Sequence, residues 1–157
     1  FDSKRLPTAN EVCQAIAQQA HTMLEPPIGN IGVKGIRKLA RQVEIWPDKF
    51  GPEKALLYLG QVIRMQEEIG TGGAGFRFIY AAFLQQAATL MGMPRLQELS
   101  AEMTAIGDRW RQFAVSGARN CKGRSRAEDS YPAMAEIIRE CADREAALYR
   151  ELLAVAH

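Results

Sequence analysis

Residues 96–113 read LQELSAEMTAIGDRWRQF, and the spacing of their apolar side chains decides the fold. The apolar residues recur at alternating spacings of three and four: Leu96, Leu99, Met103, Ile106, Trp110 and Phe113. That pattern places them on one face of an α-helix, as a seam against a neighbouring helix. Pro94 suits the start of such a helix, because the first helical position needs no N–H donor. The segment therefore predicts a long helix inside a helical bundle.

A second seam lies near the end of the chain, in a helix predicted over about residues 132–155. Its apolar members are Met134, Ile138, Cys141, Leu148, Leu152 and Val155, with Glu145 interrupting them. Residues 116–130, between the two long helices, are polar and basic, and we expect them to form a loop.

Helical spacing of apolar residues predicts four further helices nearer the N-terminus, over about residues 8–24, 33–44, 52–69 and from the glycine-rich segment to Met91. Trp46-Pro47 ends the second, because a residue before proline avoids the helical conformation. The apolar face predicted for the fourth consists of Phe76, Tyr80, Phe83, Ala87 and Leu90. No alternating β pattern occurs, and short links favour antiparallel neighbours. The sequence therefore predicts an all-α, single-domain antiparallel bundle of about six helices over residues 1–157.

Composition narrows the class of protein. Of the 157 residues, 47% are apolar, so a globular domain is expected. The net charge is +2, which gives no reason to expect nucleic acid or a membrane surface as a partner. No apolar run approaches the ~18 residues that span a bilayer, and no signal peptide is visible. Three cysteines without zinc spacing favour a reducing compartment, so we expect a cytoplasmic protein. Since the first residue is Phe1 rather than methionine, we expect the chain to be part of a longer one.

A search for catalytic chemistry finds no nucleophile with its base. Cys13 and His21 are eight residues apart on one predicted helix, which separates them by roughly 12 Å along the axis. Cys121 lies beside Arg119 and Lys122, which would lower its pKa, although a plain exposed thiol is the simpler interpretation. No Glu-x-x-His pair suggests a metal site. We therefore predict no catalytic residue, metal or cofactor in this chain.

The most unusual segment is GTGGAGFR, residues 70–77, with four glycines in six residues. Glycines permit positive φ angles and close backbone approach, but no strand precedes them and no GK[ST] follows, so this is not a P-loop. Glu67 and Glu68 near a helix C-terminus, and Arg77 in a first turn, all oppose the helix dipole. We expect Arg77 to pair with one of these glutamates. The alternative is that Arg77 meets an anionic ligand or a partner's carboxylate.

Two groups of candidate interaction residues follow from the sequence. The first is the glycine segment and the helix start after it: Gly70, Thr71, Gly72, Gly73, Gly75, Phe76, Arg77 and Tyr80. The second is the basic loop, with no acidic residue before Glu128: Arg119, Lys122, Arg124 and Arg126. The basic loop is either a solvated connection or a docking surface for an acidic protein.

Residues 29–40 (GNIGVKGIRKLA), Trp46, Trp110 and above all residues 70–77 with the Tyr80 helix that follows resemble one family. It is the C-terminal helical domain of proteins similar to butirosin-biosynthesis protein H. The resemblance covers about residues 10–155, and the glycine segment followed by Phe-Arg is its specific part.

The resemblance implies a role within a larger enzyme. In that family an N-terminal domain similar to papain-type cysteine peptidases carries the catalytic cysteine and histidine. The butirosin protein moves an acyl group from an acyl-carrier protein thioester to an amine of an aminoglycoside. By this resemblance the chain is an accessory domain that shapes the acceptor site or docks the donor. Its partners would then be the N-terminal catalytic domain and an acyl-carrier protein.

Two other functions remain open from the sequence. The seams of the last two helices suggest a non-enzymatic interaction or dimerisation domain, which would make the chain a homo-oligomer. Alternatively, the chain is a ligand-sensing helical domain of the kind attached to bacterial regulators.

Overall fold

A computed structural model describes residues 5–157 of the chain. They form six α-helices: α1 (Ala9–Leu24), α2 (Gly32–Phe50), α3 (Pro52–Glu67), α4 (Arg77–Met91), α5 (Pro94–Cys121) and α6 (Tyr131–Ala156). Single 3₁₀ turns lie at Ala74–Phe76 and Ala127–Asp129, and this part of the chain contains no β-strand. The predicted all-α, single-domain bundle is confirmed. Within residues 5–157 no helix is both long and apolar enough to cross a membrane.

Helices α5 and α6 form the antiparallel centre of the bundle. Ion pairs join them in antiparallel register, Arg109 Nε to Glu140 at 2.6 Å and Arg144 Nε to Glu102 at 2.9 Å. Helices α3 and α4 pack against α5, whereas α1 and α2 pack against α6. Every apolar seam residue predicted in residues 96–113 is buried, so that seam is confirmed.

Local signals at the helix ends act as the sequence indicates. The Thr8 hydroxyl accepts a hydrogen bond from Glu11 N at 3.2 Å, and the Glu11 carboxylate accepts one from Thr8 N at 2.7 Å. This capping box satisfies two N–H groups that the helix leaves without partners. Gly92 ends α4 in the left-handed conformation, with φ 61° and ψ 37°.

The predicted end of α2 at Trp46-Pro47 is wrong, because the helix continues through Pro47 to Phe50. Tertiary packing explains the extension. The Tyr58 ring of α3 lies 5.8 Å from the Trp46 ring and 5.3 Å from the Phe50 ring, measured between centroids. These contacts hold the last turn of α2 although proline lacks an N–H group for the helical ladder.

The predicted loop over residues 116–130 is also wrong over its first six residues, since α5 runs to Cys121. Gly117 is buried there, and a Cβ on it would lie 2.1 Å from Ile63 Cδ1, so α3 packs closely on this turn. The polar side chains are satisfied too, because Ser116 and Asn120 donate to Asp129. Close packing and buried hydrogen bonds therefore keep a polar segment helical.

The apolar face predicted for α4 is partly confirmed, because Ala87 is buried and Tyr80 and Phe83 are partly buried against the core, but it is wrong at its two ends. The fully buried stripe of the helix consists of small and branched residues: Ala81, Leu84, Ala87 and Ala88. The Ser100 hydroxyl of α5 donates to Ala81 O at 2.7 Å, which requires the two helices to lie close together. Phe76 and Leu90 are consequently exposed, with 56% and 51% of their surface accessible.

Candidate functional site

The connection between α3 and α4, residues 68–76, has an unusual backbone. Positive φ angles occur at four of its glycines and also at Ala74, with φ 52°, and Phe76, with φ 69°. Left-handed conformations at residues with a side chain cost roughly 1–2 kcal/mol each. We call this connection the glycine loop. It holds strain that a simpler turn between two helices would avoid.

Hydrogen bonds to α3 fix the first half of the glycine loop. The Thr71 hydroxyl donates to Gln66 O at 2.6 Å and accepts from Gly73 N at 3.2 Å. Ala74 N donates to the Glu67 carboxylate at 3.3 Å. The Glu67 carboxylate thus accepts a hydrogen bond from the backbone of the loop. Its ion-pair partner is Arg111 of α5, with Arg111 Nε at 3.6 Å.

Arg77 forms a bidentate ion pair with Glu145 of α6, and the predicted pairing with Glu67 or Glu68 is wrong. Arg77 Nε lies 3.0 Å from Glu145 Oε1, and Arg77 Nη2 lies 3.1 Å from Glu145 Oε2. The Glu145 side chain is 1% exposed and that of Arg77 is 17% exposed. Glu145 therefore does not merely interrupt the seam of α6, because it supplies the charge that neutralises Arg77.

Two further contacts make this pair a support for the glycine loop. Trp110 Nε1 donates to Glu145 Oε2 at 3.0 Å, and the guanidinium carbon of Arg77 lies 4.6 Å from the Trp110 ring centroid. Arg77 Nη1 donates to the carbonyl oxygens of Ala74 and Gly75, at 3.3 and 3.1 Å. Arg77 thus connects the strained residues to the core through charge-assisted hydrogen bonds, which are about twice as strong as neutral ones.

A cavity of about 270 Å³ opens beside the glycine loop, and Phe76, Arg77, Tyr80, Glu145 and Tyr149 are among its lining residues. The Tyr80 hydroxyl is buried and has no hydrogen-bond partner in residues 5–157. Burial raises the pKa of Tyr80 to about 12. Burial, followed by the nearby Glu145 carboxylate, raises the pKa of Tyr149 as well. Both phenols are therefore neutral at physiological pH and present hydroxyl groups rather than charges.

Arg77 also lines a larger groove of about 610 Å³, whose other walls include Gly32, Gly35 and Ile36 of α2 and Met65 of α3. The structure thus brings together the two segments on which the family resemblance depends, residues 29–40 and 70–77. A Cβ on Gly35 would lie 2.6 Å from Asn30 O, so this glycine allows the chain before α2 to fold back onto the helix.

The basic residues in and just before the connection between α5 and α6, residues 122–130, which we call the α5–α6 turn, do not form one exposed group. Arg119 Nη2 lies 2.5 Å from Asp129 Oδ1, and the Asp129 side chain is fully buried. Hydrogen bonds from Arg119, and further ones from Ser116 and the Arg126 main chain, hold the pKa of Asp129 far below its usual range. Arg119 therefore belongs to the internal structure of the turn.

The remaining three basic residues of that turn, Lys122, Arg124 and Arg126, are exposed. Arg126 lies 3.8 Å from Glu128, which partly offsets its charge. The exposed charge of the predicted docking loop is thus smaller than its composition suggests.

Cys121 and Cys141 show no sign of activation. Cys141 is buried, and burial, followed by the nearby Glu145, raises its pKa to about 12. Burial also raises the pKa of Cys121, in the direction opposite to the lowering suggested by its basic neighbours. Over residues 5–157 no group of three His, Cys, Asp or Glu side chains is arranged to hold a metal ion.

The fold and this site define an all-α helical domain whose glycine loop is strained, supported by a buried ion pair and flanked by two cavities. The chain belongs to the family described as Domain of unknown function (DUF4872), whose family model matches residues 1–152. No curated protein and no solved structure matches the chain.

Proposed function

We propose that this chain is the helical accessory domain of a cytoplasmic acyltransferase similar to butirosin-biosynthesis protein H, and that its glycine loop contacts the catalytic domain. The resemblance of residues 29–40 and 70–77 supports the enzyme class. In the proposed reaction a cysteine thiolate of the catalytic domain attacks a carrier thioester and releases the carrier thiol. An acceptor amine then attacks the acyl-enzyme, forms the amide and releases the thiolate. The accessory domain shapes the acceptor site or docks the donor.

The observation that carries this proposal is the strained backbone and the exposed side chain of Phe76. Its backbone is left-handed, with φ 69°, and its side chain is 56% exposed beside a cavity. Glycine would fit this conformation at lower energy, and a polar residue would suit the exposure. Stability of the isolated domain therefore gives no reason for phenylalanine here. Aromatic side chains that fill pockets of a partner dominate many interfaces, so an anchor for the catalytic domain explains both features.

The buried network beneath Phe76 fits the same role. An interface residue contributes most when its position is fixed before the partner arrives, because less entropy is lost on binding. Arg77 provides this rigidity by hydrogen bonding to the carbonyl groups of Ala74 and Gly75, while Glu145 and Trp110 hold Arg77 in place. Tyr80 and Tyr149 line the cavity beside the anchor, and their phenol groups are neutral.

The dimerisation alternative loses its original support. The seam over residues 96–113 is buried between helices of the same chain, so it is not available to a second copy. Phe76 and the groove beside Arg77 are exposed in this chain and remain available to a partner.

The test compares two glycine substitutions in the full-length enzyme. Phe76→Gly removes the aromatic ring, whereas Ala74→Gly changes the backbone of the same loop and keeps the ring. Acyl-enzyme formation and transfer to an amine are followed by intact mass spectrometry with a panel of synthetic acyl thioesters. We expect Phe76→Gly to slow transfer about tenfold, equivalent to ~1.4 kcal/mol, and Ala74→Gly to have less than about a twofold effect.

Two results would contradict the proposal. One is wild-type transfer by the Phe76→Gly enzyme. The other is an upstream sequence without a cysteine and a histidine in a papain-like context.

Two other substitutions in this region, Gly73→Ala and Arg77→Ala, are unsuitable for this test because each would also disturb the fold. Gly73 has φ 87°, and a Cβ there would lie 3.0 Å from Arg111 Nη2, while loss of Arg77 leaves Glu145 buried without its partner.

A further inference from the structure

The start of α2 carries an excess of positive charge that the glycine loop does not explain. Lys34, Arg37, Lys38 and Arg41 all lie in its first ten residues, and no acidic residue occurs before Glu44. Lys34 lies in the first turn, where a cation opposes the helix dipole at a cost of roughly 0.3–1 kcal/mol. Arg37 is paired with Asp143 at 2.6 Å. In residues 5–157 the other three cations form no ion pair, and all three are exposed.

These three cations form a row. Lys34, Lys38 and Arg41 are spaced by four and three residues, which places them on one face of α2. From the first to the last, the helix rises about 10.5 Å, at 1.5 Å per residue. A single small anion does not reach across that length, so the row suits an extended partner with several negative charges.

The groove of about 610 Å³ borders this row at Lys38, which is part of its wall. Its floor is apolar and includes Ile36, Leu39 and Val62, and no carboxylate lines it. On its rim Ile31 is 41% exposed and Met65 is 64% exposed. Because Glu145 neutralises Arg77, the positive charge in the groove wall comes from Lys38, and Lys34 and Arg41 extend that charge along α2 beyond the groove.

We propose that the groove and the row Lys34–Lys38–Arg41 form a docking surface for an acidic amphipathic helix of a partner protein. The apolar face of that helix would occupy the groove, and its carboxylates would meet the row, a mode of recognition that is common for helices. A nucleic acid fits less well, because no aromatic side chain lines the groove for base stacking. The inference goes beyond the proposed function, since it requires neither a catalytic domain nor an acyl group.

The experiment measures fluorescence anisotropy of a labelled helical peptide of about four turns, with leucines on one face and glutamates on the other. The chain is compared with two variants that lose equal charge. One carries Lys34→Gln, Lys38→Gln and Arg41→Gln, and the other carries Lys122→Gln, Arg124→Gln and Arg126→Gln at the α5–α6 turn. All six side chains are exposed, so both variants should fold. We expect the α2 variant to bind roughly tenfold more weakly, as three exposed ion pairs would give, and the turn variant to change less than about twofold.

A second pair of variants tests the groove itself. Met65→Glu places a carboxylate on the rim, whereas Leu57→Glu makes the same change at an equally exposed site of α3 outside the groove. We expect only Met65→Glu to weaken binding, again by roughly tenfold. The proposal is overturned if the turn variant loses as much affinity as the α2 variant, or if Leu57→Glu matches Met65→Glu. It is also overturned if a peptide of scrambled sequence, an oligothymidylate or an anionic phospholipid vesicle binds as well as the amphipathic peptide.

Discussion

The glycine loop and the α5–α6 turn are each held in place by an ion pair to a buried carboxylate, but the side chains that they expose differ. In each, an arginine pairs with a buried carboxylate, Arg77 with Glu145 and Arg119 with Asp129. The α5–α6 turn has no positive φ outside glycine, and exposed basic residues cover it. The glycine loop also keeps Phe76 strained and exposed. Fold stability therefore accounts for the α5–α6 turn, whereas it does not account for Phe76 in the glycine loop, which is the residue that we propose contacts the catalytic domain.

The largest expected effect is on the ion pair beneath the glycine loop. Glu145→Ala leaves the Arg77 guanidinium and the Trp110 N–H group without their partner in the core. Removing one member of a buried ion pair typically costs about 3–5 kcal/mol, and we expect that loss in the free energy of unfolding from denaturant titration. Asp129→Ala should cost less, because Arg119 is nearer to solvent.

The control for this prediction replaces both charges. In Arg77→Met with Glu145→Leu no buried charge remains unpaired, so the double variant should be more stable than Glu145→Ala alone. A Glu145→Ala protein within about 1 kcal/mol of wild type would show that the pair does not support the core.

A smaller effect is expected for Trp110→Phe than for removal of the whole Trp110 side chain. Trp110 is 4% exposed, and Trp110→Ala should cost about 3–5 kcal/mol through loss of packing. Trp110→Phe keeps an aromatic ring but removes the N–H group that donates to Glu145, and we expect a cost of about 1.5–3 kcal/mol. If Trp110→Phe unfolds at the wild-type denaturant concentration, the hydrogen bond contributes nothing to stability.

Acid titration separates the α5–α6 turn from the glycine loop. The pKa of Asp129 is lowered in the folded state, so the unfolded state binds more protons as the pH falls below about 4–5. The stability that Asp129 contributes is therefore present above its unfolded pKa and is lost on acidification. We expect Asp129→Asn to be less stable at pH 7 and to show a shallower decline towards low pH. The measurement is the melting temperature of both proteins from pH 7 to pH 3. If it falls equally in the wild type and in Asp129→Asn, ionised Asp129 does not contribute to stability.

The smallest effect concerns backbone strain at Phe76. At ordinary positions glycine is roughly 0.5–1 kcal/mol less stabilising than alanine, and we expect that order for Arg124→Gly and Arg124→Ala. At Phe76, where φ is 69°, the order should reverse, with Phe76→Gly about 1 kcal/mol more stable than Phe76→Ala. Equal unfolding midpoints of the two Phe76 variants would mean that the loop relaxes without strain.

Local signals let the sequence predict most of the bundle. The seam of residues 96–113, the cap at Thr8 and the left-handed Gly92 depend on neighbours within a few positions. Pro47 was misread because Tyr58, in another helix, holds the turn around it. The partner of Arg77 was missed because it lies 68 positions along the chain. One signal was available: Glu145 occupies an apolar seam, and Arg77 opposes a helix dipole, so each of these charges required a partner.

Hydrogen exchange of the two turns tests the central claim most directly. Amide exchange is measured by mass spectrometry on this chain alone and on the full-length protein. An interface at Phe76 predicts that residues 72–77 exchange about tenfold more slowly in the full-length protein, equivalent to ~1.4 kcal/mol of added protection, while residues 122–128 change little. Equal exchange of residues 72–77 in both proteins, or protection confined to residues 122–128, would contradict the claim that the glycine loop is an interface.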